Sequence, residues 1–237
     1  MDIKELDVLG DGVAQHWYFK SKANALSHFL RGNNFTHIFD VGAGSGFFSR
    51  YLLNTTDAHD ALCVDSAYER DWDETTNGKQ LYFRQNAFAH NTDLILMMDV
   101  IEHVDDELSF IKNYTQSAKS GTLVMATVPA FEFLWSSHDV FLEHRRRYTL
   151  SGLKTTLENS NLEIVKISYG FGLVFPIAAT LRLMERFISN NKDAKSGLKP
   201  HHPFVNSALT AMCAAERPLM HLNKLAGLSV FCLARKP

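Results

Sequence analysis

The stretch from Thr36 to Leu52, THIFDVGAGSGFFSRYL, constrains the fold more than any other part of the chain. Ile38 to Val41 is a short apolar run that carries Asp40, and Phe47, Phe48, Tyr51 and Leu52 recur at helical intervals after Gly46. Gly42, Gly44 and Gly46 lie between, so the pattern is a strand, a turn free of side chains, and a helix. The first N–H groups of such a helix have no partner within it and face whatever lies in the turn. The turn is therefore suited to a small polar ligand. A dinucleotide fingerprint places its third glycine where Phe47 stands, which speaks against a pyrophosphate. Asp40 just before the turn suits a cationic ligand group instead.

The pattern then repeats down the chain. Strand candidates are Ala61 to Val64 ending at Asp65, Gln80 to Phe83 followed by Asn86, and Leu94 to Met98 ending at Asp99. Thr122 to Val128, Leu162 to Tyr169 and Leu228 to Leu233 complete the set. Between them the spacing predicts a helix over residues 15 to 31, with Ser21 as a cap, and another from Asp105 to about Ser117. A third, with Leu150, Leu153 and Leu157 on one face, follows Thr149 as its cap. Such alternation implies a parallel sheet covered on both faces, and sheets of this kind bind ligands at the carboxyl ends of their strands. Asp40, Asp65, Asn86 and Asp99 all stand at strand ends. Each alone is equally a loop residue capping a helix, but together with the glycine turn they mark one crevice. A carboxylate in Asp65's place can accept from both hydroxyls of a ribose, and Asn86 with Ala87 can present an amide and backbone to an adenine edge.

With 237 residues the chain has room for one sizeable core carrying an insertion. A formal net charge of −2 argues against a nucleic-acid partner. Cys63, Cys213 and Cys232 are too scattered for a disulfide framework or a zinc site, and with a polar N-terminus lacking an apolar leader they point to a cytoplasmic protein. The longest apolar stretch, Gly170 to Met184, holds Arg182 and falls short of the ~20 residues of a membrane span.

DVGAGSG (Asp40 to Gly46), LCVD ending in Asp65, QNAF (Gln85 to Phe88) and MDVIEHVDD (Met98 to Asp106) together resemble class I S-adenosylmethionine-dependent methyltransferases. The likeness is greatest to small-molecule enzymes with an Asp-x-x-Glu-His signature after the fourth strand, and it extends to HWYFKSKANAL, VPAFEFLWSSHDVFLEHRRRYT and GLSVFCLARKP. It implies a Rossmann-like, mostly parallel sheet of seven strands with the last one antiparallel, helices on both faces, and a helical insertion before that last strand. The core would be residues 1–171 and 227–237, and the insertion, residues 172–226, a lid or dimerisation element. By the same resemblance Gly42, Ala43, Gly44 and Gly46 pack against the methionine part of the cofactor. Asp40 holds its amino end, Asp65 and Ser66 the ribose, and Asn86 and Ala87 the adenine, with Asp99 and Val100 alongside. The product is S-adenosylhomocysteine.

Methyl transfer from a sulfonium depends mainly on alignment, and a general base matters only where the acceptor must lose a proton. His103 stands beside the expected methyl; the alternative reading is that Glu102 and His103 shape the entry to the helix beginning near Asp105. His138 with Asp139 forms a second base candidate. The aromatic-rich segment from Val128 to Tyr148 overhangs the acceptor side, with Trp135, His144, Arg146, Arg147 and Tyr148 as substrate contacts and the arginines able to clamp an anion. In the insertion, Phe171 to Phe187 is apolar over most of its circumference, and the polar stretch Ser189 to Pro203 reads as a linker. Such a helix suits a small or lipid-like acceptor, a second subunit or a bilayer surface. His201 and His202 have no third ligand nearby in sequence, so no metal is expected. The rival readings are a cofactor-binding module without transfer activity and a nicotinamide-dependent oxidoreductase.

Overall fold

Strand-length apolar runs that alternate with amphipathic helices can hide both faces of a sheet only if the helices cover it from each side. The computed structural model describes residues 10–89, 91–188 and 201–237. Residues 1–9 of the polar N-terminus and 189–200 of the expected linker lie outside the described residues. Helix α1 (Trp17–Leu30) precedes β1 (His37–Val41), α2 (Phe47–Thr55), β2 (Asp60–Val64), β3 (Trp72–Thr76), β4 (Lys79–Arg84) and β5 (Leu94–Met98). The second half comprises α3 (Glu107–Thr115), β6 (Leu123–Pro129), α4 (Ser137–Phe141), α5 (Leu150–Asn159), β7 (Glu163–Gly170), α6 (Phe175–Ile188), α7 (Pro203–Glu216) and β8 (Ser229–Arg235).

The described residues form one eight-stranded sheet in the order β3-β4-β2-β1-β5-β6-β8-β7. Strands β4, β2, β1, β5 and β6 run parallel, while β8 lies antiparallel between β6 and β7. The architecture is the expected Rossmann-like one with an extra strand. Trp72–Thr76 folds back on β4 through Asn77 and Gly78, both with positive φ (50° and 77°), the backbone that a two-residue hairpin requires.

The inner strands are buried on both faces, so their side chains divide by parity between two cores. Ile38, Leu94, Leu96 and Met98 join Phe19, Leu26, Phe29 and Phe48 under α1 and α2. Phe39, Ile95 and Met97 join Ile111, Leu153 and Leu157 under α3 and α5. Each such side chain, fully buried, contributes about 1.5–3 kcal/mol.

Local capping corrects two expected boundaries. His16, not Ser21, caps α1, its Nδ1 accepting from Tyr18 N at 3.4 Å, while Ser21 is buried within the helix. Asp106 caps α3 by accepting from Ser109 N at 3.0 Å, so the helix starts at Glu107. Thr149 caps α5 as expected, accepting from Gly152 N at 3.1 Å.

The residues between β7 and β8 are tied to one another and to the start of α1. Glu216 accepts from Gly172 N at 3.1 Å and Leu173 N at 2.7 Å. Asn206 of α7 accepts from Trp17 N at 2.7 Å and donates to Gln15 O at 2.8 Å, which fixes α7 against the start of α1. Cys63, Cys213 and Cys232 are all free and buried. Among the described residues no helix is long and apolar enough to cross a membrane.

Candidate active site

The strand order sets the ends of β4, β2, β1 and β5 side by side, and the glycine turn leaves the middle of that row. Gly42 has φ +66°, and a Cβ there would lie 2.4 Å from Val100 Cγ2. Gly46 has φ +71°, and a Cβ there would meet the Phe83 ring at 2.8 Å. Backbone conformation and space thus both demand glycine. The turn is pinned by its neighbour strand: Gly42 N and Ala43 N donate to Val64 O at 2.8 and 3.1 Å. Gly44 N donates to Asp65 Oδ2 at 2.9 Å, and the Tyr68 hydroxyl donates to Gly44 O at 2.6 Å. Asp40 lies beneath, buried, accepting from Ser49 Oγ at 2.7 Å, and burial pushes its carboxyl up to about 6. Ser66 and Asn86 are exposed at the rim, after β2 and β4, with Ala87 half-buried beside Asn86.

At the other flank, Asp99 leaves β5 with φ +55°, unusual for a residue with a side chain. Thr127 Oγ1 donates to its Oδ1 at 3.0 Å, and its Oδ2 is ion-paired with Lys22 Nζ. Lys22 is fully buried and also donates to the Tyr18 hydroxyl at 2.9 Å. Burial alone would lower its pKa, but the carboxylate of Asp99 more than offsets this and raises it; Asp99 in turn is held below the usual carboxylate range despite its own burial. Sequence reading missed Lys22. The available signal was a lysine three residues after Phe19 and four before Leu26, on the apolar stripe of α1.

The segment after β6 is organised by Asp139. Ser136 and Asp139 form a capping box, with Ser136 N donating to Asp139 Oδ2 at 2.9 Å. The fully buried carboxylate also receives Arg147 Nε at 2.7 Å and Nη2 at 2.9 Å, and His144 Nδ1 lies 2.8 Å from its Oδ1. Burial alone would raise its pKa; the bonds from His144 and Arg147 outweigh that and hold it well below the usual range. The histidine that Asp139 orients is thus His144, where the sequence had singled out His138. Burial, then the charge of Arg182, lowers the pKa of His138 to about 4.

Ser136, His138, His144 and Arg147 of this network line a cavity of about 340 Å³ whose polar side also includes Asp99, Glu102 and His103. Val174, Ile177, Ala178 and Leu181, from the stretch entering α6 and from α6 itself, line its apolar side. Glu102 is fully buried, and neither of its carboxylate oxygens has a hydrogen-bond partner among the described residues. Burial first, and the charge of Asp99 second, raise its pKa well above the ordinary value.

Of the expected acceptor contacts, His144 and Arg147 line the cavity; Trp135, Arg146 and Tyr148 do not. The arginine clamp gives way to internal ties. Arg147 is committed to Asp139 and to Ala130 O at 2.9 Å, and Arg146 to Glu107 and to the carbonyls of Val104 and Asp105 at 3.0 and 2.9 Å. Tyr148 is buried in the core under α5. His202 caps α7 and His201 stacks on His16, ring centroids 5.4 Å apart, so the two do not act as a pair.

A glycine turn between carboxylates at neighbouring strand ends, beside a cavity, is the arrangement that the resemblance to class I methyltransferases implies. Residues 14–167 match a family model described as a methyltransferase domain, and the chain belongs to that family. It is an S-adenosylmethionine-dependent methyltransferase, with S-adenosylhomocysteine as product. No curated protein matches the chain. Among solved structures, it is similar to the protein complexed with the methyltransferase activator Trm112 from Haloferax volcanii, with 14% identity and a TM-score of 0.59 over 100% of this chain and 98% of that one. A Mesorhizobium loti S-adenosylmethionine-dependent methyltransferase is 12% identical, with a TM-score of 0.56 over 91% of this chain and 98% of that one. The Haemonchus contortus phosphoethanolamine N-methyltransferase 2, in complex with phosphomonomethylethanolamine and S-adenosylhomocysteine, is 14% identical, with a TM-score of 0.56 over 99% of this chain and 57% of that one. At these identities the likeness concerns the fold.

Proposed function

We propose that the enzyme methylates a small or lipid-like acceptor that has an apolar body and a polar reacting end, held in the cavity between the strand ends and α6. One observation carries this reading. Asp99 ends the strand next to the glycine turn and also lines the cavity, so donor and acceptor spaces meet at one residue.

The glycine turn would hold the methionine part of the cofactor, with Asp40 near its amino end, Asp65 and Ser66 at the ribose and Asn86 and Ala87 at the adenine. Asp99 and Val100 flank the same ligand. S-adenosylmethionine supplies an activated methyl on a sulfonium whose departure leaves a neutral thioether. The chain's own work is then alignment and exclusion of water. Val174, Ile177 and Leu181 would hold the acceptor's apolar body, while His103 and His144 stand at its polar end. His144, oriented by a buried carboxylate, is better placed to accept a proton than His138, whose lowered pKa makes it a weak base.

Residues 172–226 would act as the lid of this space. Ile177, Leu181, Met184 and Phe204 remain exposed, a face that suits a lipid-like acceptor, a bilayer surface or a second subunit. Three buried free thiols fit a reducing, cytoplasmic setting.

The test is a methyl-transfer assay with amphipathic and fully polar acceptors, run on the parent and on Ile177→Glu. The reading expects turnover of amphipathic acceptors, with KM raised at least about tenfold in the variant and S-adenosylhomocysteine affinity unchanged. Preference for fully polar acceptors, or indifference to Ile177→Glu, contradicts it.

A further inference from the structure

We propose that Glu102, His103 and His144 bind one divalent transition-metal ion at the polar end of the acceptor cavity. Each residue offers one ligand atom, and the three atoms lie within 4.8 Å of one another. All three residues line the cavity.

Glu102 supplies the independent reason to expect a ligand. It is fully buried with both oxygens unpartnered among the described residues, an arrangement that leaves its charge or its hydrogen-bonding capacity uncompensated. Neighbouring charges do not account for it, because Lys22 is ion-paired with Asp99 and Arg147 with Asp139. A cation bound by two imidazoles would neutralise the carboxylate that remains.

The surroundings are arranged as a metal site's are. Asp139 takes His144 Nδ1 at 2.8 Å, which leaves Nε2 as the nitrogen for the ion, and a buried carboxylate behind a histidine is the usual means of orienting such a ligand. The His103 and His144 rings meet edge to face, centroids 4.8 Å apart. Arg145 N donates to Glu102 O at 2.8 Å, so the main chain itself joins the segment carrying Glu102 and His103 to the one carrying His144. Two imidazoles and a carboxylate favour zinc, manganese or iron(II) over magnesium or calcium, and three protein ligands leave coordination positions open. Here the open positions would face the cavity. The ion would therefore draw in an acceptor through a hydroxyl or carboxylate oxygen, with His144 serving as its ligand in place of a proton acceptor, which narrows the acceptor class proposed above and rests on that reading. The sequence expectation of no metal considered His201 and His202; these ligands come from segments about forty residues apart.

The test uses the 237-residue protein, stripped with a chelator and titrated calorimetrically with manganese(II) chloride and, separately, with zinc chloride. The expected result is one ion per chain for at least one metal, with affinity lowered at least about tenfold in Glu102→Gln and His144→Ala. Should either variant fail to fold by circular dichroism, His103→Asn is read by the same criterion. Uptake of neither ion by the parent, or binding by folded variants equal to the parent's, overturns the site. S-adenosylhomocysteine is titrated into the same samples. Normal binding of it without ion uptake rejects only the metal site, whereas loss of its binding by the parent rejects the cofactor-crevice reading itself.

Discussion

The proposed donor crevice and the proposed acceptor cavity share Asp99, yet they are built from different materials. On the donor side the main chain does most of the work: Gly42, Ala43 and Gly44 are fixed by hydrogen bonds to the neighbouring strand and its following loop, and glycine is dictated by φ and by the nearness of Val100 and Phe83. On the acceptor side the geometry depends on buried charged side chains drawn from α1, from the end of β5 and from the segment after β6. A backbone cradle tolerates no added atom but needs few partners. A side-chain network tolerates changes of shape, but losing one member leaves another charge buried and alone.

The largest effect should come from adding bulk to the cradle. Gly42→Val forces a branched side chain into a positive-φ position against Val100, and S-adenosylhomocysteine affinity measured by calorimetry should fall at least about 100-fold. Binding within a few-fold of the parent would mean that the crevice is not backbone-limited. Next is the network. Asp139→Asn strips the buried partner from Arg147 and His144, and chemical denaturation should show a loss of about 3–5 kcal/mol, while any protein that remains folded keeps its S-adenosylhomocysteine affinity. If cofactor affinity fell with stability, the two regions would not be separable.

A smaller loss is expected for Asp65→Ala, which removes both the carboxylate proposed to hold the ribose and the acceptor for Gly44 N. S-adenosylhomocysteine should bind roughly 10- to 100-fold more weakly, and unchanged binding would remove Asp65 from the ribose. The finest test is pH, because the two regions have opposite signs. Asp40 is raised from 3.8 to about 6, so the folded state binds more protons than the unfolded one between those values, and Asp40's contribution to stability is lost as pH rises through that window. His138 is lowered from 6.5 to about 4, so the unfolded state binds more protons there, and its contribution is lost as pH falls. Denaturation curves across that range should therefore steepen upward with pH in Asp40→Asn and flatten in His138→Gln. The same pH slope in both variants would refute the opposed assignment.

Much of the donor side was legible because its information is local. The strand, the three glycines and the following helix occupy one continuous stretch, and a carboxylate at each neighbouring strand end is visible from the alternation itself. Strand β3 escaped because WDETT has no apolar run, although the Asn77-Gly78 pair was a turn signal in plain view. The acceptor side was legible as a place but not as a set of contacts. Arg145, Arg146 and Arg147 looked like one anion clamp, yet their guanidiniums go separate ways: the first lies exposed 3.5 Å from Asp105, the second grips Glu107, and the third is buried on Asp139. Consecutive residues point in different directions, and nothing in their spacing says which partners await.

The sequence by itself determined the layered α/β order and the position of the turn, because periodicity and glycine placement act over a few residues, and its motifs carried the resemblance that implies the cofactor class. Only the tertiary structure decided that Lys22 reaches Asp99, that Asp139 turns to His144 rather than leaving that part to His138, and that the Glu102 carboxylate is buried with no hydrogen-bond partner among the described residues. Those pairings join residues from 5 to 77 positions apart in the chain. They follow from which surfaces the two cores bring together, and a buried charge acquires its meaning only from what folding places beside it.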